Sequence, residues 1–511
     1  MAGWIKAPGL KTAGVWLAGA ASLTLAACDG GAADVASPGV GAFPPPPPPP
    51  PVVVPPPPPT PGETVPAPAG SCPAGANFSD AGTITVPGGE QRVCSISGTF
   101  TNTVNLPRIP GVVYSLSGRV NVGVDLGTDL ARPGGQRGQL IVNPGVRVFG
   151  SSGSDFLVVN RGSEIVANGT AEAPIIFTGR DDIQGNANQD RLGQFGGLVI
   201  LGRGPINNCL AAGALPGTVQ CESNTEGLTA LHGGADAGDS SGTLNFVRVQ
   251  FAGFEVVPNR ELNGITLAGV GSGTTLTNIQ VHRGADDGVE FFGGTANIRN
   301  LVITDADDDS IDWDTGWRGA IQFAIALQRG GGASDRGIEG SSAGANAAAP
   351  AGRNTVGNVA NFTFVLQPGT GSNDAITLNS GTDANLLNGI VTGKAACVDI
   401  DGNETAAAAP TFNSIFFSCP ATVRDDTDIN GAATLPFITG GQNNTLLGVS
   451  TLIDFFIRGS NESAVVPATA AQLSAASGFF QVVPYIGAVR DAADTRFRNW
   501  TCNLYAGGPT C

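Results

Sequence analysis

Two short acidic stretches carry the residues of this sequence whose types and spacing could do chemistry. DGVEFF at 287–292 is followed 22 residues later by DSIDWD at 309–314, and segment 286–314 holds nine carboxylates and one basic residue, Arg299. Carboxylates at this density repel one another unless something neutralises them. The pattern therefore predicts a cation site, a pair of catalytic acids, or a row of acids that water and arginines neutralise.

The same 22-residue spacing recurs in apolar segments and predicts the fold. NIQVH at 278–282 is followed by NLVIT at 300–304 and QFAIA at 322–326, with Gly-rich turns between these short strands. A repeat of this length with two or three strands is typical of one coil of a parallel β-helix. Leucine-rich repeats have a similar length, but their regularly spaced leucines are absent here. Propeller blades are longer than 22 residues, and the strands of a β-sandwich do not recur at this fixed spacing.

Alternation along the strands assigns side chains to faces once the coils stack about 4.8 Å apart. The predicted inward positions are Ile265, Leu267, Val289, Phe291, Ile311, Trp313, Ile338, Ile376, Leu378 and Val398. One predicted outward row is Thr266, Glu290, Asp312, Glu339, Thr377 and Asp399. Beside it lies a second row, Ala268, Phe292, Asp314, Ser341, Asn379 and Asp401. Glu290 and Asp312 are therefore expected to be vertical neighbours on the exterior.

A bound hard cation is the first way to neutralise these acids. Ca²⁺ takes six to eight oxygen ligands, which carboxylates from adjacent coils could supply. Ca²⁺ is the one cofactor that the residue types indicate. Its predicted ligands are Asp286, Asp287, Glu290, Asp308, Asp309, Asp312 and Asp314.

Catalysis is the second alternative, with one acid holding a proton as the general acid or base of a polysaccharide lyase or glycoside hydrolase. Its catalytic residues would be Glu290, Asp312, Asp314 and Arg318, with His282 as a further candidate base. The chain has no Gly-His-Gly element, no lysine near the acids, and no Gly-x-Ser-x-Gly, phosphate-loop or HExxH motif. These absences favour a protein without enzymatic activity and leave the question open.

The third alternative gives the acids no function. Exposed carboxylates can extend into water, where salt screens them, or pair with Arg283, Arg318 and Arg336. The residue types do not decide among the three.

Amides recur at the starts of the repeated strands. Asn278, Asn300, Asn361 and Asn413 occupy these positions, and Gln322 replaces one of them. Stacked amides at a turn can hydrogen-bond from coil to coil. We therefore interpret them as structural.

Composition and charge exclude several classes of protein. Of 511 residues, 75 are Gly and only 13% are charged, which argues against amphipathic helices as the main architecture. The hydrophobic fraction of 41% is enough for a core and argues against wholesale disorder. The net charge of −16 argues against nucleic acid as a partner.

The N-terminal region predicts export. Residues 1–27 combine Lys6 and Lys11 with a short apolar stretch that ends in Leu-Ala-Ala before Cys28, as in a lipoprotein signal peptide with Cys28 lipidated. An ordinary signal peptide that contains a Cys is the alternative. Residues 28–71 form the predicted anchor and Pro-rich linker, with unbroken prolines at 44–51 and 55–59 that favour an extended stalk. The expected location is the outer membrane at the cell surface. Asp29, directly after the lipidated Cys, makes retention in the inner membrane an alternative, and release to the medium is another.

Eight further cysteines fall into sequence-neighbouring pairs, which in an exported chain predicts four local disulfides. Zinc binding is the alternative, but no CxxC occurs and the chain has only two His. The predicted disulfide cysteines are Cys72, Cys94, Cys209, Cys221, Cys397, Cys419, Cys502 and Cys511.

The block from GTLNFVRVQFAG at 242 to QFAIALQ at 328 resembles a family of Gram-negative surface and secreted proteins, mostly lipoproteins, with a right-handed parallel β-helix of the pectin-lyase-like type. YIGAVRDAADTRFRNWT at 485–501 is similar to the closing element of that family, although Arg496 and Phe497 stand where members often have two tryptophans. The resemblance implies an all-β fold and an extracytoplasmic location, and it implies no catalytic residues. The predicted domains are the parallel β-helix with inserted loops over 72–440 and a small C-terminal capping region over 441–511, after a disordered stalk.

The expected function is that of a lipid-anchored surface module without catalytic activity, which binds carbohydrate or a protein partner through its acidic face. The membrane, through the N-terminal lipid, and a surface polysaccharide or outer-membrane protein are the expected partners. The alternative is a carbohydrate-active lyase or hydrolase on the same face. Sugars stack on exposed aromatics, and Phe292 and Trp317 are the candidates for such a contact.

Overall fold

The structure is a computed structural model. It describes residues 65–187, 191–257, 260–329, 334–342, 354–368, 372–425, 429 and 431–511. The predicted signal peptide, Cys28 and the linker up to residue 64 lie outside the described residues.

Short strands dominate the described chain, and five helices interrupt them. The strands are β1 (Phe78–Val86), β2 (Gly89–Phe100), β3 (Thr103–Leu106), β4 (Val112–Val122), β5 (Gln139–Val142), β6 (Arg147–Gly150), β7 (Phe156–Val159), β8 (Glu164–Asn168), β9 (Ile175–Gly179), β10 (Gly197–Leu201), β11 (Ser223–Asn224), β12 (Leu231–His232), β13 (Gly242–Gln250), β14 (Glu255–Val257), β15 (Arg260–Glu261), β16 (Ile265–Ala268), β17 (Thr275–His282), β18 (Val289–Phe292), β19 (Asn297–Thr304), β20 (Ile311–Asp314), β21 (Ala320–Leu327), β22 (Ile338–Gly340), β23 (Val356–Val365), β24 (Asp374–Leu378), β25 (Asp383–Thr392), β26 (Ala396–Ile400), β27 (Thr411–Asn413), β28 (Phe416–Ser418) and β29 (Ala421–Val423). The helices are α1 (Arg180–Ile183), α2 (Asn403–Ala408), α3 (Gly431–Thr439), α4 (Ser460–Ser463) and α5 (Ala470–Ala476).

Twenty-five of these strands form one continuous sheet wound into a right-handed parallel β-helix, which confirms the predicted fold. Among the described residues, only β1 with β2 pairs antiparallel within this sheet. Each coil presents three faces. Face A stacks β7, β10, β16, β18, β20, β22, β24, β26 and β29. Face B runs through β3, β5 and β8 into the first halves of the long strands β13, β17, β19, β21, β23 and β25, and face C runs through β6 and β9 into their second halves.

A single left-handed residue turns each long strand from face B to face C. Asn278, Asn300 and Asn361 have φ values of 52°, 60° and 55°. Asn is one of the few L-residues that adopts this conformation readily. Asn300 Nδ2 donates to Asn278 Oδ1, and Asn278 Nδ2 donates to Asn245 Oδ1, each at 2.8 Å. The predicted coil-to-coil amide contacts are therefore present at Asn278 and Asn300.

The other predicted amides differ in their partners. Gln322 Nε2 donates to Asn361 Oδ1 at 3.1 Å, so this pair also links two coils. Asn413 Oδ1 instead accepts from the backbone N–H of Gln442, outside the strand stack.

Alanine at position 278 is expected to lower the free energy of unfolding by about 2 kcal/mol, because it strains the left-handed backbone and removes two amide hydrogen bonds. Glycine at the same position relieves the backbone strain without restoring the amide. Chemical denaturation of both variants checks this. Equal losses for Ala and Gly would contradict a contribution from the backbone conformation.

The interior of the coil holds one apolar cluster made of inward side chains, and all ten predicted inward residues belong to it. Trp317 joins them, because the turn after β20 folds its ring against Phe291 at a centroid distance of 4.2 Å. Its Nε1 donates to the Ala296 carbonyl at 3.1 Å. The expectation of an exposed Trp317 that stacks on sugar is therefore wrong, since its indole is fully buried.

Four disulfides join the predicted neighbours and confirm the local pairing: Cys72–Cys94, Cys209–Cys221, Cys397–Cys419 and Cys502–Cys511. Cys397 lies in β26, and Cys419 lies just before β29, the strand that pairs with β26. This 22-residue disulfide therefore connects adjacent coils.

The segment 441–511 packs along the outward surface of faces B and C. Gln322 Nε2 donates to the Gln481 carbonyl at 2.7 Å, and Gln280 Nε2 donates to the Cys502 carbonyl at 2.8 Å. Asn503 of this segment lies beside His282, with its Nδ2 3.5 Å from the imidazole Nε2, and His282 Nδ1 lies 2.7 Å from Thr304 Oγ1. His282 is thus a buried side chain under the C-terminal segment, and the expectation that it faces solvent as a base is wrong. Within the described ranges, no helix has the length and apolarity needed to cross a membrane.

Candidate functional site

The outward row of face A has the predicted register. Glu290 pairs with Asp312, and Asp312 pairs with Glu339 in the next coil. Thr266 precedes Glu290, and Thr377 and Asp399 continue the row after Glu339. Their strand neighbours Val289, Phe291, Ile311 and Trp313 point into the core. Strict alternation along β18 and β20 therefore places Glu290 and Asp312 as vertical neighbours on the outer side of the sheet.

Seven carboxylates converge at the start of this row, and we call them the acid cluster. Three triads have ligand oxygens that all lie within 4.8 Å of one another. The first and second share Asp287, and the first and third share Asp308. The triads are Asp286, Asp287 and Asp308; Asp287, Glu290 and Asp312; and Asp308, Asp309 and Asp335.

Much of the acid cluster is buried, contrary to the expectation of a solvent-exposed face. Glu290 and Asp287 are each 6% exposed, whereas Asp308 is exposed. Asn263 lies in the turn before β16, at the register position of Asp287, and its side-chain amide donates to Glu290 Oε2 at 2.6 Å. The preceding coil thus contributes to the burial of Glu290. The sequence places Glu290 on the outer side of the sheet but does not show how deeply its carboxylate is buried.

Inserted segments also bring further acids that the repeat does not reveal. Glu226, from the segment between β11 and β12, and Glu261, from β15, both interact electrostatically with Asp286. Glu226 has a partner in Arg260, 4.0 Å away. Neither acid lies in a repeated strand, so the 22-residue pattern contained no signal for them.

Burial and mutual repulsion raise the pKa values throughout the acid cluster. Burial, followed by the charge of Asp308, raises the pKa of Asp286 to about 7. Burial and the charge of Asp335 raise that of Asp308 to about 6. The pKa values of Asp287, Glu290 and Asp312 are raised well above the ordinary range, first by burial and then by neighbouring carboxylates, with Asp312 acting on the other two. Protons are therefore held here near neutral pH unless another cation replaces them.

Arg336 neutralises one end of the acid cluster. Its Nη1 lies 2.8 Å from Glu339, 3.0 Å from Asp335 and 3.5 Å from Asp309, and its Nε donates to Thr377 Oγ1 at 2.8 Å. The register explains this position, because the pairing of Asp312 with Glu339 aligns Arg336 with Asp309. An arginine thus stands where the two preceding coils have aspartates, a substitution that the aligned sequence could have revealed.

The other end of the acid cluster has no such counter-charge. Within the described part of the chain, no lysine or arginine forms an ion pair with Asp286, Asp287, Glu290, Asp308 or Asp312. Asp312 Oδ1 is buried and has no hydrogen-bond partner. Pairing with arginine therefore accounts for Asp309 and Glu339 and leaves the second triad unneutralised.

The remaining predicted residues lie outside this convergence. The carboxylate of Asp314 is in none of the three triads, and its Oδ1 accepts the backbone N–H of Thr315. Arg318 is exposed and donates to the Asn354 carbonyl at 3.2 Å. Arg283 pairs with Asp305 at 4.0 Å rather than with the acid cluster. Both Asp314 and Arg318 lie at the end of β20 away from the turn that carries Asp308 and Asp309.

The spacing of the carboxylates indicates what the arrangement can do. Opposite oxygens around Ca²⁺ are about 4.8 Å apart, because each lies about 2.4 Å from the ion. Within each triad, one oxygen from each residue lies within 4.8 Å of the others, so the three are close enough to contact one such ion. The carboxylates of Glu290 and Asp312 are therefore close enough to share one cation.

Comparison with known proteins gives one match. A family model described as a pectate-lyase-like β-helix domain matches residues 114–433. No curated protein and no solved structure matches the chain. The matched range contains the entire acid cluster and most of the coils.

Proposed function

Because the chain belongs to the family of pectate-lyase-like β-helix domains, we propose that it acts as a binding or structural module whose acid cluster binds Ca²⁺. In this proposal it is exported, anchored through a lipid on Cys28, and displayed at the outer membrane. Its partner is a surface carbohydrate or an outer-membrane protein. The module has no catalytic activity of its own.

The second triad carries the proposal. Asp287, Glu290 and Asp312 bring their oxygens within 4.8 Å of one another, and no described basic side chain pairs with them. The buried Oδ1 of Asp312 also lacks a partner. A buried carboxylate oxygen without a hydrogen-bond partner is costly. A divalent cation removes the repulsion and uses the free oxygen as a ligand.

The exposed edge of the acid cluster indicates how a partner would reach the cation. Asp308 is exposed and shares the first triad with Asp286 and Asp287. A cation in that triad can complete its ligand set with carboxylate or hydroxyl oxygens of a partner, because three protein carboxylates leave coordination positions open. An acidic polysaccharide offers such oxygens.

A lyase or hydrolase remains the second candidate, favoured by the raised pKa values of Glu290 and Asp312 and by the nearby Arg336. One observation weighs against it. Arg336 is already engaged by three carboxylates and Thr377, which leaves its guanidinium poorly placed to accept a proton from a substrate.

Calcium binding is tested by thermal melting and calorimetric titration. Ca²⁺ is expected to raise the melting midpoint above that in EDTA, because it binds the folded chain alone. Asp312→Asn is expected to weaken Ca²⁺ binding at least tenfold, about 1.4 kcal/mol. Glu172→Gln, which removes an exposed acid outside the acid cluster, is the matched control. A midpoint unchanged by Ca²⁺ would eliminate the cation proposal.

Catalysis is tested on the same variants. Acidic polysaccharides incubated with the wild-type protein and Ca²⁺ are assayed for unsaturated products and for reducing ends. We expect neither. If the wild-type protein shows turnover and Asp312→Asn loses it while keeping its fold, the protein is an enzyme and the proposal of a binding module is wrong.

A further inference from the structure

A second charged site lies on a different face of the β-helix and is basic. Arg248, in the face C half of β13, is only 7% exposed. Its Nε is buried without a hydrogen-bond partner, and it forms no ion pair with a carboxylate of the described residues. A buried guanidinium in this state is unusual, because arginines are rarely buried unless they are paired.

A second arginine occupies the same outward row. Arg147 in β6 pairs in register with Ile176 in β9, and Ile176 pairs with Arg248. The two arginines are thus two coils apart and interact electrostatically. Arg147 Nε is also buried without a hydrogen-bond partner. Among the described residues, Arg147 forms an ion pair with Asp182 of α1, through Nη2 at 3.5 Å.

The surroundings of this row carry an excess of positive charge. His282, in the neighbouring coil, lies near Arg248, Arg283 and Arg329, which together with burial hold its pKa well below the usual value, so the imidazole is neutral. Arg283 and Arg329 share one carboxylate, Asp305, at 4.0 and 3.6 Å. Among the described residues, Arg147 and Arg248 thus interact with one carboxylate, Asp182, while Arg283 and Arg329 share another, Asp305, in a chain whose net charge is −16.

We propose that Arg248 and Arg147 bind a small oxyanion, of the carboxylate or sulfate type, on the outward side of face C between α1 and the C-terminal segment. The planar guanidinium fork donates two parallel N–H groups, which match the oxygens of such an anion. The anion supplies the counter-charge and the hydrogen-bond acceptors that both Nε atoms lack. The carboxylate of an acidic sugar and a free inorganic anion share this chemistry.

The ionisation of Arg248 agrees with this assignment. Burial, and then the charge of Arg147, lower its pKa to about 10. The guanidinium is therefore still charged at neutral pH, where it attracts an anion. A bound anion would return this pKa toward its ordinary value.

Calorimetric titration with sodium sulfate, sodium acetate and a uronic-acid disaccharide tests the site, each against sodium chloride of matched ionic strength. We expect 1:1 binding of at least one of the three. Arg248→Met should weaken that binding about tenfold or more, because it removes the buried fork and keeps the side-chain volume. Arg191→Met, which removes an exposed arginine 57% accessible at its side chain, should leave it unchanged. Binding of the disaccharide but not of acetate would identify an acidic sugar as the source.

Melting curves provide a second readout that does not depend on heat signals. The anion that binds should raise the melting midpoint of the wild-type protein and leave that of Arg248→Met unchanged. No binding of any of the three anions to the folded wild-type protein would overturn the proposal. Binding that Arg248→Met retains in full would also overturn it, since the anion would then lie elsewhere.

Discussion

Methionine at position 336 is expected to lower the free energy of unfolding by about 2–4 kcal/mol at pH 7. Arg336 is the one described cation that pairs with Asp309, Asp335 and Glu339 together. Asp309 is 2% exposed, and burial and the charge of Glu339 raise its pKa well above the usual range even with Arg336 present. Removal of the guanidinium leaves Lys394 as the described cation that still acts on this buried carboxylate. Loss of one partner from a buried ion pair is strongly destabilising, because the desolvation penalty of the remaining charge persists. Urea denaturation of the two proteins measures the difference.

Lysine at the same position provides the matched control. It keeps a positive charge but cannot reach Thr377 and three carboxylates at once, so we expect it to recover about half of the loss. The penalty of Arg336→Met should also shrink as the pH falls, since protonation of Asp309 removes the uncompensated charge. A loss of stability that is equal at pH 5 and pH 8 would show that Arg336 acts through packing and not through its charge.

Without divalent cations, the stability of the protein is expected to decrease as the pH rises from about 4 to about 7. The pKa values of Asp286 and Asp308 are raised from 3.8 to about 7 and about 6 by burial and by neighbouring carboxylates. The folded chain therefore holds more protons than the unfolded chain in this window, and the free energy of unfolding must fall with increasing pH. For Asp286 the shift corresponds to about 4 kcal/mol before solvent screening, and about 2–3 kcal/mol after it.

Calcium should change the sign of this dependence. Ca²⁺ binds ionised carboxylates, so its binding strengthens as protons leave. Melting midpoints measured in EDTA are expected to fall between pH 5 and pH 8, whereas those measured in excess Ca²⁺ should stay level or rise. Asp286→Asn should flatten the EDTA curve. If the midpoints fall with pH equally in EDTA and in Ca²⁺, the acids share protons but bind no cation, and the Ca²⁺ proposal is wrong.

The coil register and the core were predictable from the sequence because they depend on local regularities. Alternation places Val289 inside and Glu290 outside whatever the rest of the chain does, and a 22-residue spacing stacks Glu290 under Asp312. The amides at Asn278 and Asn300 follow from the same spacing. Short loops between neighbouring cysteines made the disulfide pairing predictable in the same way.

The surroundings of the acids were not predictable, because they are made by segments without a repeat. Glu226, from the segment between β11 and β12, and Glu261, from β15, act on Asp286 from outside the repeated strands. Trp317 was expected on the surface, but its position inside depends on how one turn closes onto Phe291. Insertions of variable length do not inherit the register of the strands, so their contacts are decided only when they fold onto a finished face.

By itself, the sequence determined a parallel β-helix, an outward row of carboxylates and four local disulfides, since periodicity and alternation act over a few residues at a time. Only the tertiary structure decided that one guanidinium meets three carboxylates at one end of the acid cluster, while Asp312 Oδ1 at the other end is buried without a hydrogen-bond partner. It alone brought Arg147 and Arg248, about one hundred residues apart, into one row. Charges that meet across coils interact through distance and burial, and both quantities exist only after the coils have stacked.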